Sequence, residues 1–199
     1  MYLFPTEDYL ELRFGAYRDL GNIHGTYVFS ADPGSRYSYS GRVRYNRQLS
    51  DRDDLDLTVS ALDSPNDDAA SARTRMWNAA LQWRRDRGNQ YTHRVILEWT
   101  GMDRETGLGD LERSGWSATY LRQAGLYHDW GLMLESAQFG DPGLRGRVNG
   151  YNLFYTWKAE ETQWFRVQYR RNNYPTGSDT DELLFQSIWT IGSHSHEFQ

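Results

Sequence analysis

The sequence predicts an all-β protein: an antiparallel, up-and-down transmembrane β-barrel of about 10–12 strands, one domain over residues 1–199. Three observations lead there. Apolar and polar residues alternate with period two along most of the chain. Aromatic residues make up 15% of a chain that is only 38% hydrophobic. The connections between the alternating runs differ in length in turn, short and then long.

The runs follow in order. In 10–17, Leu10, Leu12, Phe14 and Ala16 share one side and Glu11, Arg13 and Gly15 the other. A weaker run covers 23–30. In 37–46, Tyr37, Tyr39, Gly41, Val43 and Tyr45 alternate with Ser38, Ser40, Arg42, Arg44 and Asn46. Leu55, Leu57, Val59 and Ala61 alternate with Asp56, Thr58 and Ser60, and Trp77, Ala79, Leu81 and Trp83 with Asn78, Ala80, Gln82 and Arg84. In 91–101, Tyr91, Val95, Leu97 and Trp99 oppose Thr92, Arg94, Glu98 and Thr100, with Ile96 an exception. Trp116, Ala118 and Tyr120 then share a side, as do Trp130, Leu132 and Leu134. Tyr151, Leu153, Tyr155 and Trp157 oppose Gly150, Asn152 and Thr156, with Phe154 an exception. Phe165, Val167 and Tyr169 oppose Arg166, Gln168 and Arg170, and the last run, 183–191, is apolar on both sides. The runs are long for globular strands and suit a tilted crossing of a bilayer. Only 67–83, rich in alanine, competes as a short helix.

Short turns are expected at 18–22, 48–54, 85–90, 123–127 and 158–162, and longer polar loops at 63–75, 102–114, 138–148 and 172–181, with 31–36 a shorter connection on the long-loop side. Bacterial outer-membrane barrels have short periplasmic turns, long outer loops, an even strand count and both termini in the periplasm. Counting about eleven runs back from a last strand that descends into the periplasm puts the start of 10–17 outside. The chain is therefore expected to be the C-terminal portion of a larger barrel. The opening Met1-Tyr2-Leu3-Phe4-Pro5 has neither the basic region nor the apolar run of a signal peptide, so a leader is expected to have been removed or to lie upstream.

Composition narrows the function. No run approaches the 18 apolar residues of a transmembrane helix. Cysteine is absent, which removes disulfides and thiolate metal sites. A net charge of -5 argues against nucleic acid as a partner. Lys158 is the sole lysine, and the arginines that supply the other positive charges offer rigid forks suited to lining a pore.

Lipid cannot solvate charge, so the charged sides of the runs are the candidate lumen lining: Glu11, Arg13, Arg42, Arg44, Asp56, Arg84, Arg94, Glu98, Arg166 and Arg170. The plainer reading is cross-strand charge pairing with no further role. Tyr37, Trp77, Trp83, Trp99, Trp116, Trp130, Trp157 and Trp189 are candidate membrane-interface aromatics. His194 and His196 are weak candidate metal ligands, with Glu197 beside them and no third ligand in view. Aspartates at 51, 53, 54, 63, 67, 68, 179 and 181, with Glu182, read better as solvated turns than as calcium sites. No G-x-S-x-G, H-E-x-x-H or P-loop pattern occurs, and His24, His93 and His128 lie in separate segments. No enzyme activity and no cofactor are expected.

The stretch from Leu183 to Phe198, LLFQSIWTIGSHSHEF, resembles the end of a Gram-negative outer-membrane barrel, of the group described as porin-like or TonB-dependent-receptor-like. The stretch 114–174, with Gly115-Trp116 before a strand and Gln168-Tyr169-Arg170-Arg171-Asn172, is similar to that group as well. The resemblance covers about the last 90 residues and implies a final strand, with Trp189, Ile191 and Phe198, that the barrel assembly machinery recognises. Two departures stand out: Gln199 follows Phe198, and counting back from Phe198 in twos meets His196, His194 and Gly192.

These readings give an outer-membrane barrel acting as a passive pore or as the barrel part of a transport or scaffold protein. Its partners would be outer-membrane lipid, lipopolysaccharide and, where the sheet needs completing, other chains or a plug. The alternative is a soluble β-sandwich or lipocalin-like module that binds carbohydrate or a small apolar ligand through its aromatics.

Overall fold

The computed structural model describes residues 8–17, 37–66, 71–86, 91–107, 109–139, 145–160 and 163–189. Ten strands lie in chain order in one sheet: β1 (Tyr9–Tyr17), β2 (Ser38–Ser50), β3 (Asp53–Pro65), β4 (Arg73–Asp86), β5 (Tyr91–Thr106), β6 (Gly109–Ala124), β7 (His128–Gln138), β8 (Arg147–Glu160), β9 (Gln163–Asn173) and β10 (Thr180–Trp189). Every pair of consecutive strands is antiparallel. There is no helix among the described residues, and the segment that competed as one enters β4 at Arg73. Its alanines pair across a sheet as readily as they would pack in a helix, and the flanking Trp77 and Trp83 favour the strand.

The strands are longer than the hydropathy pattern suggests, most of all where a long loop was expected over 102–114. There β5 and β6 run on as a hairpin, Thr106 pairs with Gly109, and only 107–108 connect them. Gly109 sits at φ 121°, a conformation that side chains disfavour. Residues 103–106 are polar on both sides and 109–113 carry Leu111 as their one large apolar side chain, so hydropathy shows no alternation where the backbone ladder continues. The other connections at this end, 18–37, 66–72, 139–146 and 174–179, are longer than those at the opposite end, 51–52, 87–90, 125–127 and 161–162.

β1 pairs directly and antiparallel with β2, from Tyr9↔Asn46 to Tyr17↔Ser38. The weak run at 23–30 lies outside the described residues. The chain therefore enters β1 from the short-turn end, the end at which β10 finishes, and not from the long-loop side as the odd count implied. The parity argument for a missing N-terminal part falls with it.

The sheet is not closed: β1 and β10 form its two edges, and all tertiary contacts between described strands join consecutive neighbours. Among the described residues no second layer covers either side. The register nevertheless climbs across the sheet. From Leu55, partners lead through Trp83, Val95, Tyr120, Leu132, Leu153 and Tyr169 to Leu183. Leu55 is third from the short-turn end of its strand and Leu183 seventh, a stagger that tilts the strands against the line of turns, as in barrels.

Candidate functional site

The two faces of the sheet are chemically opposite, and the buried one is polar. Asn152 and Thr156 of β8 are 6% and 1% exposed, whereas Leu153 between them is 54% exposed. Ala72 and Met102 are the buried hydrophobic residues among those described, against ten buried polar or charged ones. No second layer among the described residues covers the polar face, so its side chains are shielded by their neighbours on the sheet.

The apolar face has an ordered layout. Its residues alternate down each strand, and charge returns at fixed intervals: Asp53 and Asp63 on β3, Arg75 and Arg85 on β4, His93 and Asp103 on β5, Glu112 and Arg122 on β6. The members of each pair are ten positions apart. The residues between them on that face are leucine, valine, alanine, glycine, serine or aromatic. Register joins them into two rows. Asp53, Arg85, His93 and Arg122 face one another at the short-turn end, and Asp63, Arg75, Asp103 and Glu112 at the other. Arg85 approaches Asp53 to 3.6 Å, and Arg75 reaches Glu105 at 3.2 Å.

Aromatic side chains border the band between the rows. Towards the long-connection end lie Tyr39, Trp77, Trp99, Trp116, Tyr151 and Tyr169. Towards the short-turn end lie Trp83, Trp130, Tyr155, Trp157, Phe165 and Trp189. Ring pairs run along these borders: Trp77 with Trp99 at 5.9 Å, Trp130 with Tyr155 at 5.7 Å and Trp157 with Phe165 at 5.6 Å. Two histidines repeat one arrangement. His93 Nδ1 lies 2.7 Å from the Tyr120 hydroxyl, and His128 Nδ1 lies 2.7 Å from that of Tyr155. Tyr37, expected with these aromatics, lies just before β2 and is exposed.

The ten charged residues expected on the polar side share the polar face. Glu11 stands opposite Arg44 and pairs with Arg13, and Arg13 stands opposite Arg42. Arg44 Nε donates to Asp56 Oδ2 at 2.6 Å. Arg84 pairs with Asp54 at 2.9 Å, Arg170 approaches Glu135 at 3.4 Å, and Ser117 Oγ donates to Glu98 at 3.2 Å. Arg94 and Arg166 line one concavity on this face. The charges are thus spread along β1 to β9, several of them as local pairs, with Arg94 and Arg166 outside those pairs. No group of three or more potential ligands that could hold a metal ion occurs among the described residues. His194, His196, Ile191 and Phe198 lie outside those residues.

Several polar-face residues escape a search for charge. Gln168 Nε2 donates to Asn152 Oδ1 at 2.9 Å, and Arg166 Nε donates to Thr156 Oγ1 at 2.9 Å. Phe154, an exception to the alternation, covers Gly131 on the facing strand, where any Cβ would collide with its ring. At the long-connection end Asn66 and Thr74 are fully buried. Asn66 Nδ2 donates to Thr74 Oγ1 at 3.2 Å and to the Glu105 carbonyl at 3.0 Å, tying the β3–β4 connection down onto β5. Period two finds those on β7 to β9 once Phe154 is kept in step, whereas Asn66 and Thr74 fall in the stretch expected as a loop over 63–75.

Comparison with family models, with curated proteins and with solved structures finds no match, so any functional reading rests on this geometry.

Proposed function

We propose that the protein is an outer-membrane β-barrel of a Gram-negative bacterium, a passive pore or the barrel part of a transport or scaffold protein. Its apolar face would meet lipid and its polar face would line the lumen. The observation that carries this is the spacing of the two charged rows. Ten positions at about 3.3 Å each span about 33 Å along a strand. At the tilt of about 35–45° found in outer-membrane barrels, that is a height of about 23–27 Å, against an apolar band of about 25 Å. A sheet facing water on that side has no reason to exclude charge over this one interval on four consecutive strands.

The aromatic borders support the same reading, since tyrosine and tryptophan collect at membrane interfaces. So does the burial pattern: a soluble sandwich or lipocalin-like module would turn its apolar face inward, and here the buried face is polar. Pairing of β1 with β10, or with strands from other chains, would satisfy the backbone groups along the edges.

The test is to express the chain behind a signal peptide, fractionate the cells, and compare gel mobility with and without heating. The proposal expects an outer-membrane, heat-modifiable species that conducts in planar bilayers. A monomer soluble without detergent would sink it.

A further inference from the structure

We infer that the polar face carries a binding site for a small carboxylate with an apolar body, formed by Arg94, Arg166, Leu121 and Phe154. The inference deepens the proposal above and rests on it in one respect: the face holding the site is the one taken there as the lumen. The site is a cavity of about 430 Å³ near the short-turn end, lined by β5 to β9. That volume falls within the range of small-ligand pockets.

Charge selects the ligand class. Arg94, Lys158 and Arg166 line the cavity on the polar face, against one carboxylate, Asp129. Asp129 is taken by Lys158, whose Nζ lies 2.8 Å from its Oδ2. Neither arginine has a carboxylate partner among the described residues. Arg94 also stands directly opposite Arg84, which is held by Asp54 at 2.9 Å, so the local potential stays positive. Two half-buried guanidinium groups without a carboxylate partner in one recess favour an anion.

Arg166 is also held in place. Its Nε donates to Thr156 Oγ1, and its guanidinium carbon lies 5.0 Å from the centre of the Phe154 ring. Phe154 can lie there because Gly131 opposite has no Cβ. These contacts fix the fork and leave its two terminal nitrogens for a ligand, the bidentate geometry that carboxylates match. Phe154 and Leu121 supply an apolar wall, so an anion with a hydrocarbon body gains contact that chloride does not.

The purified protein in detergent is titrated with benzoate and with benzamide, its neutral isostere, by calorimetry. Benzoate is expected to bind at least about tenfold more tightly than benzamide, and Arg94→Gln and Arg166→Gln each to weaken it about tenfold. Arg75→Gln, on the opposite face, leaves the affinity unchanged. Equal binding of benzamide, or full affinity in both arginine variants, overturns the inference. The two-ligand comparison needs no variant, so a folding defect cannot mask the answer. Preferential benzoate binding by a protein that never enters a membrane keeps the site and removes the pore. Conductance without benzoate preference does the reverse.

Discussion

Leu97 offers the sharpest test of what covers the apolar face. It lies on β5 four positions from His93 and six from Asp103, between the two charged rows. Its partners are Leu81 and Ala118, and 44% of its surface is open. If that face meets water, Leu97→Arg is a surface substitution and changes stability by no more than about 0.5 kcal/mol. If it meets hydrocarbon, four positions along a tilted strand put the guanidinium about 10 Å below the short-turn row, near the middle of the band. The cost there is about 2–4 kcal/mol, and 3 kcal/mol is roughly a hundredfold in the folding equilibrium. Val95→Arg, half as deep, should cost about 1 kcal/mol because its long side chain can reach the interface. Ala80→Arg, on the polar face opposite Glu98, should cost less than about 1 kcal/mol. The assay is urea-dependent folding into phosphatidylcholine vesicles, read by the heat-modifiable gel band. A neutral Leu97→Arg, or a cost that does not grow from Val95 to Leu97, would refute the membrane reading.

Other expectations concern the network, the close packing and the edges. Arg44→Met removes the partner of a half-shielded Asp56 and should cost about 1–3 kcal/mol; adding Asp56→Asn should recover part of it, as urea midpoints would show. Gly101→Val puts a side chain where Trp77 lies, since a Cβ at Gly101 would meet its indole; a loss of about 1–3 kcal/mol with a shift in tryptophan emission is expected. The chain contains no cysteine, so an engineered disulfide forms without background. If the two edges meet, Leu12→Cys should cross-link within one molecule to Leu183→Cys, Phe185→Cys or Ser187→Cys on the same face. Cross-linked dimers alone would mean that a second copy completes the sheet.

The sequence carries most of the strand core in plain form, because each strand must serve two different surroundings and period two records that. It loses the strand ends. Asp103, Arg104 and Glu105 belong to the same ladder as Val95 and Leu97, yet beyond the apolar band both sides are polar and the alternation vanishes. The orientation of β1 is hidden for a related reason: the sequence alone does not show which run lies beside 10–17, and only the pairing of Tyr17 with Ser38 makes β1 and β2 neighbours. On the polar face charge was the visible signal, so Arg44 and Asp56 stood out, while Asn152, Thr156 and Gln168 did not. The interval from Asp53 to Asp63 was present in the sequence, but spacing along one strand means little. Register makes it meaningful, by aligning that interval with Arg75–Arg85, His93–Asp103 and Glu112–Arg122.

That alignment bears on what stabilises the fold. In a water-soluble domain, burying a large apolar side chain contributes about 1.5–3 kcal/mol, and folding depends on many such burials. This sheet buries almost none of its leucines and aromatics by itself: Phe14, Leu183 and Phe185 are 82%, 76% and 70% exposed. What holds it together internally is the backbone ladder and the hydrogen-bonded polar face, whose net contributions per bond are small. No described residue covers the apolar face, so on the proposed reading lipid supplies the hydrophobic stabilisation. The need for cover is greatest at β10, where Leu183 and Phe185 sit on one face and Leu184 and Ile188 on the other, with the free edge still unpaired. Lipid can cover the first face, but the second and the edge need a strand, and β1, whose chain direction and short-turn entry match, is the one this sheet already contains.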